Sequence, residues 1–359
     1  MEERKEKFKR IVESICNFSI LITQIDPDAV ASANGVYHLM KYLKKDLRCD
    51  IYYSGKFAHP QNRMILNRYN LDSMMLPMSK WIEKRKGIDD QVEENEEDKI
   101  KKDYNVCLVD SSNSVDKRFE YEKEESINTC IVIDHHRNSD MEEDENKFMW
   151  IEEVGAASTL VTELIMLFDE EILKIPNVAI LLALGIYTDT KALVSASSRD
   201  IHAYSICKKY IDVNEMSQLI NYDLPESHFK IMSFALLHYE RKDSIIVANL
   251  GFMKQDDGDE ISTICDDLIR MRGVKMAFVI GIIDEFVRVS ARSTDMTIPL
   301  HTFLQEKFGP QSGAKLAPDG RAEGGAIIDL SLGFWMNDAT RDDIISLVEK
   351  RIFNLLLDS

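Results

Sequence analysis

Cysteine is scarce in this chain and scattered. Cys16, Cys49, Cys107, Cys130, Cys207 and Cys265 include no CxxC pair, which argues against a disulfide framework and against a zinc knuckle. Several of them sit within apolar runs, where cysteine packs as a small hydrophobe. Long apolar stretches are missing too. No uninterrupted run approaches the about 20 residues of a membrane-spanning helix, and the N-terminus, MEERKEKFKR, lacks the apolar core of a signal peptide. A cytoplasmic protein without a membrane partner is expected. Positive charge is also in deficit: Lys and Arg total 44 against 62 Asp and Glu, a formal net charge of -18. That balance excludes tight coating of long duplex DNA, because such binding draws on many Lys and Arg contacts to phosphate. It leaves room for a small anionic ligand, since bound divalent cations and a few arginines create a local positive site on an acidic protein.

What is present is a globular composition, 45% hydrophobic and 30% charged over 359 residues. That length exceeds one ordinary core and suggests two domains. Short β-branched runs at residues 18–23, 51–53, 105–109 and 130–134 read as buried strands, and helical spacing at 30–42, 156–168 and 178–187 reads as the helices between them. This alternation predicts an α/β fold with a parallel sheet. Charged stretches at 84–103 and 140–146 read as solvated loops. From 213 to 242 the pattern is helical without a strand, and strand-like runs resume at 245–250, 276–283 and 286–290. We therefore expect a catalytic metal-binding domain over 1–212, a helical linker over 213–242 and a smaller α/β substrate-binding domain over 243–359. Ser195, Ser197, Ser198, Arg199 and His202 read as helix-capping and solvent-facing residues.

The chemistry-bearing residues recur at the ends of apolar elements. Asp26 and Asp28 flank Pro27 after the first strand, Asp110 ends another, Asp134, His135 and His136 end the central one, and Asp189 ends an apolar helix. In open parallel sheets, ligands bind beyond the carboxyl ends of the strands. Neighbouring residues of an extended chain point to opposite faces, so His135 and His136 are expected to play different parts. Taken singly, each motif also reads as an Asp helix cap or a solvent-exposed histidine. Taken together, Asp26, Asp28, Asp110, His135 and Asp189 supply hard oxygen donors and one imidazole, a set suited to Mn or Mg. A buried carboxylate such as Asp189 needs a partner, and a divalent metal is a natural one. Two ions sharing these carboxylates would activate water for an in-line phosphoryl displacement.

The motifs DPDAVASA from Asp26, VDSS from Val109, IDHH from Ile133 and GIYTDT from Gly185 occur in one order. On them the chain resembles the DHH phosphoesterase superfamily, in particular its DHH/DHHA1 branch of nano-RNases, pAp phosphatases and cyclic-dinucleotide phosphodiesterases. The resemblance implies that Asp26, Asp28, Asp110, His135 and Asp189 bind two divalent metals, Mn or Mg, with His136 and Asp134 as catalytic residues near the reacting phosphate. In the second domain Arg292-Ser293 is similar to the family's phosphate-contacting RS motif, and Gly324 and Gly325 fall where a glycine-rich loop follows. Two departures stand out. Gln24 occupies the position of a metal-binding His, and the stretch FGPQSGAKLAPDGRAEGGAI lacks the loop His, with Lys315 and Arg321 offering positive charge. The expected function is a metal-dependent phosphodiesterase or phosphatase for a small phosphorylated nucleotide or short single-stranded oligonucleotide, held in the cleft between the domains, in a chain that could pair as a homodimer. The alternative is a nucleotide-binding or regulatory member of the family with little turnover.

Overall fold

β-Branched and aliphatic runs become strands wherever both faces of the chain find cover. The computed structural model describes residues 1–57, 59–89, 104–111, 127–136, 144–317, 320–330 and 340–357. The acidic run at 93–98 and most of that at 140–146 lie outside the described residues, as do positions 318 and 319 of the expected glycine-rich loop. The chain forms two units, Met1–Tyr222 and Asp223–Ser359.

In the first unit, strands β1 (Asn17–Ile22), β2 (Arg48–Tyr53), β3 (Met75–Pro77), β4 (Tyr104–Val109), β5 (Ile127–Asp134) and β6 (Phe148–Ile151) build one parallel sheet in the order β3-β2-β1-β4-β5-β6. The helices are α1 (Glu2–Ser14), α2 (Pro27–Leu43), α3 (Pro60–Arg68), α4 (Met78–Asp89), α5 (Ala157–Phe168), α6 (Val178–Asp189), α7 (Ser198–Lys208) and α8 (Val213–Ile220). Alternate strand residues serve opposite faces. Ile20, Ile51, Cys107 and Ile131 pack in a large core with α2, α5 and α6, while Leu21, Tyr52, Leu108 and Val132 meet Trp81 of α4 on the other side. Cover on both faces explains why the strands are continuously apolar rather than alternating. β1 has β2 on one side and β4 on the other. Strand order therefore reverses between β1 and β4, the switch point at which an open α/β sheet leaves a crevice.

In the second unit, α9 (Glu226–Leu237) precedes β7 (Tyr239–Lys242), β8 (Ile245–Phe252), α10 (Glu260–Leu268), β9 (Met276–Ile283), β10 (Phe286–Ser293), α11 (Leu300–Phe308), β11 (Ser312–Leu316), β12 (Ala322–Asp329) and α12 (Arg341–Leu357). The sheet runs β11-β12-β10-β9-β8-β7, with β8 and β9 parallel and the other pairs antiparallel. The stretch 213–242 is not wholly helical. Its last residues form β7, returned onto β8 by a tight turn in which Asp243 takes φ 53°.

The glycine-rich stretch before residue 325 is likewise a strand pair rather than a loop. Gly324 and Gly325 lie in β12 opposite Ala291 and Ser290 of β10. A Cβ at Gly324 would come within 2.6 Å of the Gly313 carbonyl, and one at Gly325 equally close to that of Val289. The glycines let backbones approach, which in sequence looks like a turn. Among the described residues no helix is long and apolar enough to cross a membrane.

Candidate metal centre

Each acidic or imidazole side chain of the centre is delivered by the end of an element around the switch point. After β1, Asp26 caps α2, its Oδ1 accepting the Ala29 amide at 2.9 Å, with Pro27 at the first helical position; this is the geometry in which a short acidic side chain and a proline start a helix. Asp28 follows on the first turn. After β4, Asp110 takes φ 54°, a left-handed conformation that Asp tolerates better than most residues. Its amide donates to the Ile133 carbonyl of β5 at 2.9 Å. β5 ends on Asp134 and passes directly into His135 and His136, and α6 ends on Asp189.

Three of the carboxylates converge on one imidazole atom. His135 Nε2 lies 3.2 Å from Asp110 Oδ1, 3.5 Å from Asp189 Oδ2 and 3.9 Å from Asp28 Oδ2. The other ring nitrogen, Nδ1, contacts the Val154 carbonyl at 3.2 Å, which turns Nε2 toward the carboxylates and fixes the tautomer suited to metal binding. Asp110 Oδ1 and His135 Nε2 are both buried, and among the described residues neither has a hydrogen-bond partner apart from the other. Two groups have the ligand spacing of a metal site: Asp110 with His135 and His136, and Asp28 with His135 and Asp189. Asp26 lies outside both groups. Gln24, just beyond β1, is solvent-exposed.

Electrostatics point the same way. Burial pushes the Asp26 carboxyl up to about 7, with the Asp110 charge adding to the effect. Burial also raises Asp28, again reinforced by Asp110, and raises Asp189, reinforced by Asp28, Asp26 and Asp110. Burial opposes charge on His135, yet its contact with Asp110 and the charges of Asp28, Asp110 and Asp189 outweigh this and push it up to about 10. Crowded carboxylates that favour protonation, around a buried imidazole nitrogen, are what a divalent cation would relieve. The donor set fits Mn or Mg.

Asp134 and His136 are arranged differently from the other residues. Asp134 is 1% exposed, and its Oδ1 accepts from the amides of His135 at 2.8 Å and His136 at 3.3 Å and meets His136 Nδ1 at 2.7 Å. It orients the histidine pair from behind. The His136 side chain is 55% exposed, and its bond to Asp134 raises its pKa above the ordinary imidazole value.

The backbone between β6 and α5 also belongs to the centre, which side-chain motifs did not reveal. The amides of Ala157 and Ser158 donate to Asp28 Oδ2 and Oδ1 at 2.7 and 2.8 Å, so this fully buried carboxylate sits on the N-terminus of α5, where the helix dipole favours negative charge. Gly185 of α6 makes the approach possible, because a Cβ there would fall 2.9 Å from Asp28 Oδ1. The run of small residues Gly155, Ala156, Ala157 and Ser158 before an apolar helix was the available signal.

In the second unit, Arg292 is buried. It grips Asp266 through two hydrogen bonds, Nε to Oδ1 at 2.7 Å and Nη2 to Oδ2 at 3.0 Å, and Nη1 donates to Ser290 Oγ and the Ala291 carbonyl, both at 3.1 Å. Its fork is therefore engaged within the unit. Ser293 Oγ accepts the Asp295 amide at 3.1 Å, and Gly324 and Gly325 supply strand backbone.

Residues 19–186 match the DHH family, N-terminal domain. An uncharacterized protein of Methanocaldococcus jannaschii is 26% identical over 345 residues, which cover 94% of this chain and 63% of that protein; the chain thus spans less than two thirds of that relative's length. Among solved structures, an exopolyphosphatase-related protein from Bacteroides fragilis aligns with a TM-score of 0.66 at 16% identity, covering 100% of this chain and 98% of that one. At that identity the likeness is one of fold.

Proposed function

We propose that this chain, whose residues 19–186 match the DHH family's N-terminal domain, is a DHH-type metal-dependent phosphoesterase acting on a small phosphorylated nucleotide or a short single-stranded oligonucleotide. The observation that carries this reading is the convergence of Asp28, Asp110 and Asp189 on the buried Nε2 of His135. Two divalent ions, Mn or Mg, bound at such a set supply an activated water and neutralise charge developing on the phosphate oxygens. Asp110, His135, Asp189, Asp28 and Asp26 would hold them. Asp28 Oδ2 retains a lone pair for this, because among the described residues it accepts only the Ala157 amide, whereas Oδ1 takes both the Ser158 amide and the Ser32 hydroxyl.

The remaining work falls to the histidine beside the centre. Asp134 engages His136 Nδ1, leaving Nε2 for the substrate. An imidazole whose pKa is raised keeps its proton to higher pH than a free one and can release it to the leaving oxygen. The acidic surface favours a small ligand over long duplex DNA.

A specific observation supports a second reading, a nucleotide-binding protein with little turnover: the Arg292 fork expected to meet a phosphate is occupied by Asp266. A panel assay with Mn or Mg separates the two. Matched di-, tetra- and longer oligonucleotides, pAp, cyclic dinucleotides, polyphosphate and long duplex DNA are offered with and without chelator. Metal-dependent cleavage of the small substrates is expected. Turnover that survives chelation, or a preference for long duplex DNA, would overturn the proposal, and metal-dependent nucleotide binding without cleavage would establish the second reading.

A further inference from the structure

One short segment holds several parts of the centre at once. From the end of β6, the Glu152 amide donates to the Asp134 carbonyl at 3.2 Å, the Val154 carbonyl receives the His135 ring, and the Ala157 and Ser158 amides clasp Asp28. These contacts are made by backbone, so their accuracy depends on what fixes the segment. Midway along it, the Gly155 amide donates to both oxygens of Asp200 at 3.0 Å.

Asp200 is fully buried and sits on the first turn of α7. Besides Gly155, it accepts from Thr159 Oγ1 at 2.6 Å, from the Ser197 amide at 2.7 Å and from Ser197 Oγ at 2.6 Å. The described residues give it no cationic partner. A buried carboxylate is tolerated on such terms only when donors surround it, and here they come from the segment, from α5 and from α7. Ser197 and Asp200 also form a capping box, which accounts for the Ser197 contacts but not for those to Gly155 and Thr159. Gly155 is wedged between Asp200 and Thr190, and a Cβ there would collide with both. Thr190 directly follows Asp189, so the wedge borders a further ligand of the centre.

We infer that Asp200 is a positioning residue for the metal centre, acting through Gly155 and its neighbours to aim His135 and Asp28. The inference rests on the metal-dependent reading above. It assigns to Asp200 a role in ligand geometry beyond capping α7. Replacing its carboxylate with an amide of the same shape leaves one acceptor oxygen and turns an NH2 group toward N–H and O–H donors, so the segment must shift.

The test is calorimetric titration of the purified full chain with Mn alone, alongside thermal unfolding. Asp200→Asn should weaken Mn binding about tenfold or more, the range seen when an outer partner of a metal ligand is lost. Thr159→Val keeps the carboxylate but removes one donor, and should weaken binding in the same direction by less; it decides the matter if Asp200→Asn does not fold. Asp212→Ala removes an unrelated cap, the Asp212 bond to the Glu215 amide of α8, and should lower Tm while leaving Mn affinity as in wild type. Wild-type affinity in folded Asp200→Asn, or an equal loss in Asp212→Ala, would overturn the inference while leaving the metal reading intact. Wild-type protein that bound no Mn would overturn both.

Discussion

Asp110 Oδ1 faces His135 Nε2 across 3.2 Å, both atoms buried. Two buried, facing acceptor-type atoms are costly unless a proton or a cation lies between them. Asp110 adds a second cost, its left-handed φ of 54°, which persists only where surrounding structure enforces it. Asp110→Asn should therefore abolish metal binding at this position and lower turnover by more than about 100-fold, the upper range for losing an outer partner of a ligand. The fold should survive, because the amide keeps the side chain's size. Chelation of the wild type should have the same effect on turnover. A folded Asp110→Asn that binds Mn as the wild type does would remove Asp110 from the ligand set.

Metal affinity should rise with pH. In the metal-free centre the Asp26 carboxyl stands at about 7 because of burial and the Asp110 charge, and His135 reaches about 10 once its acidic neighbours outweigh burial. A cation needs both groups without their protons. Binding near neutral pH must then release protons, and as pH rises fewer remain to be displaced, so affinity increases. Titration in two buffers of different ionisation enthalpy reads the released protons directly. An affinity constant between roughly pH 6 and 8, with no proton release, would contradict this linkage.

Asp134→Asn should separate proton chemistry from metal binding. The Asp134 bond is the leading cause of the raised His136 pKa, and a neutral amide would let that pKa fall toward the ordinary imidazole value of about 6.5. If His136 acts as the proton donor, the protonated form is lost at lower pH in the variant. The basic limb of the kcat/KM profile should move to lower pH, with Mn affinity changed by less than in Asp110→Asn. An unmoved basic limb would exclude the Asp134–His136 pair from the proton transfer.

The ends of the apolar runs were legible because a buried parallel strand must stop where its chain meets solvent or ligand, and Asp26, Asp110 and His135 each follow such a stop. The parallel sheet followed from the same runs. Backbone groups carry little residue signature beyond a run of small residues, so the Val154 carbonyl and the Ala157 and Ser158 amides were not read as parts of the centre. Asp200 went unnoticed beside the serines read as helix caps, since its burial is set by α5 and the Gly155 segment, distant in sequence. Gly324 and Gly325 misled for a related reason: a strand that lets its neighbours approach and a turn that needs freedom both select glycine. Tyr239–Lys242, polar and exposed along its length, gave no alternation from which an edge strand could be recognised.

The turn after Asp189 stores strain that can be measured. Lys191, Ala192 and Leu193 take φ values of 52°, 58° and 68° in succession, a left-handed turn without glycine. It is closed by the Ala192 amide on the Tyr187 carbonyl at 2.8 Å and the Ser195 amide on the Thr190 carbonyl at 3.0 Å. Each left-handed non-glycine residue costs about 1–2 kcal/mol. Ala192 is exposed, so its methyl group contributes little packing to set against that cost. Glycine would remove the strain and give back about 0.4–1 kcal/mol through the freer unfolded chain. Ala192→Gly should therefore stabilise the protein by a net ~0.5–1 kcal/mol, visible as a higher denaturant midpoint at unchanged slope. Ala192→Val, β-branched and poorly tolerated at positive φ, should destabilise it by at least ~1 kcal/mol. If Ala192→Gly instead lowered the midpoint, the turn would be held without strain at this residue, and the left-handed geometry after Asp189 would have to be sustained by its hydrogen bonds alone.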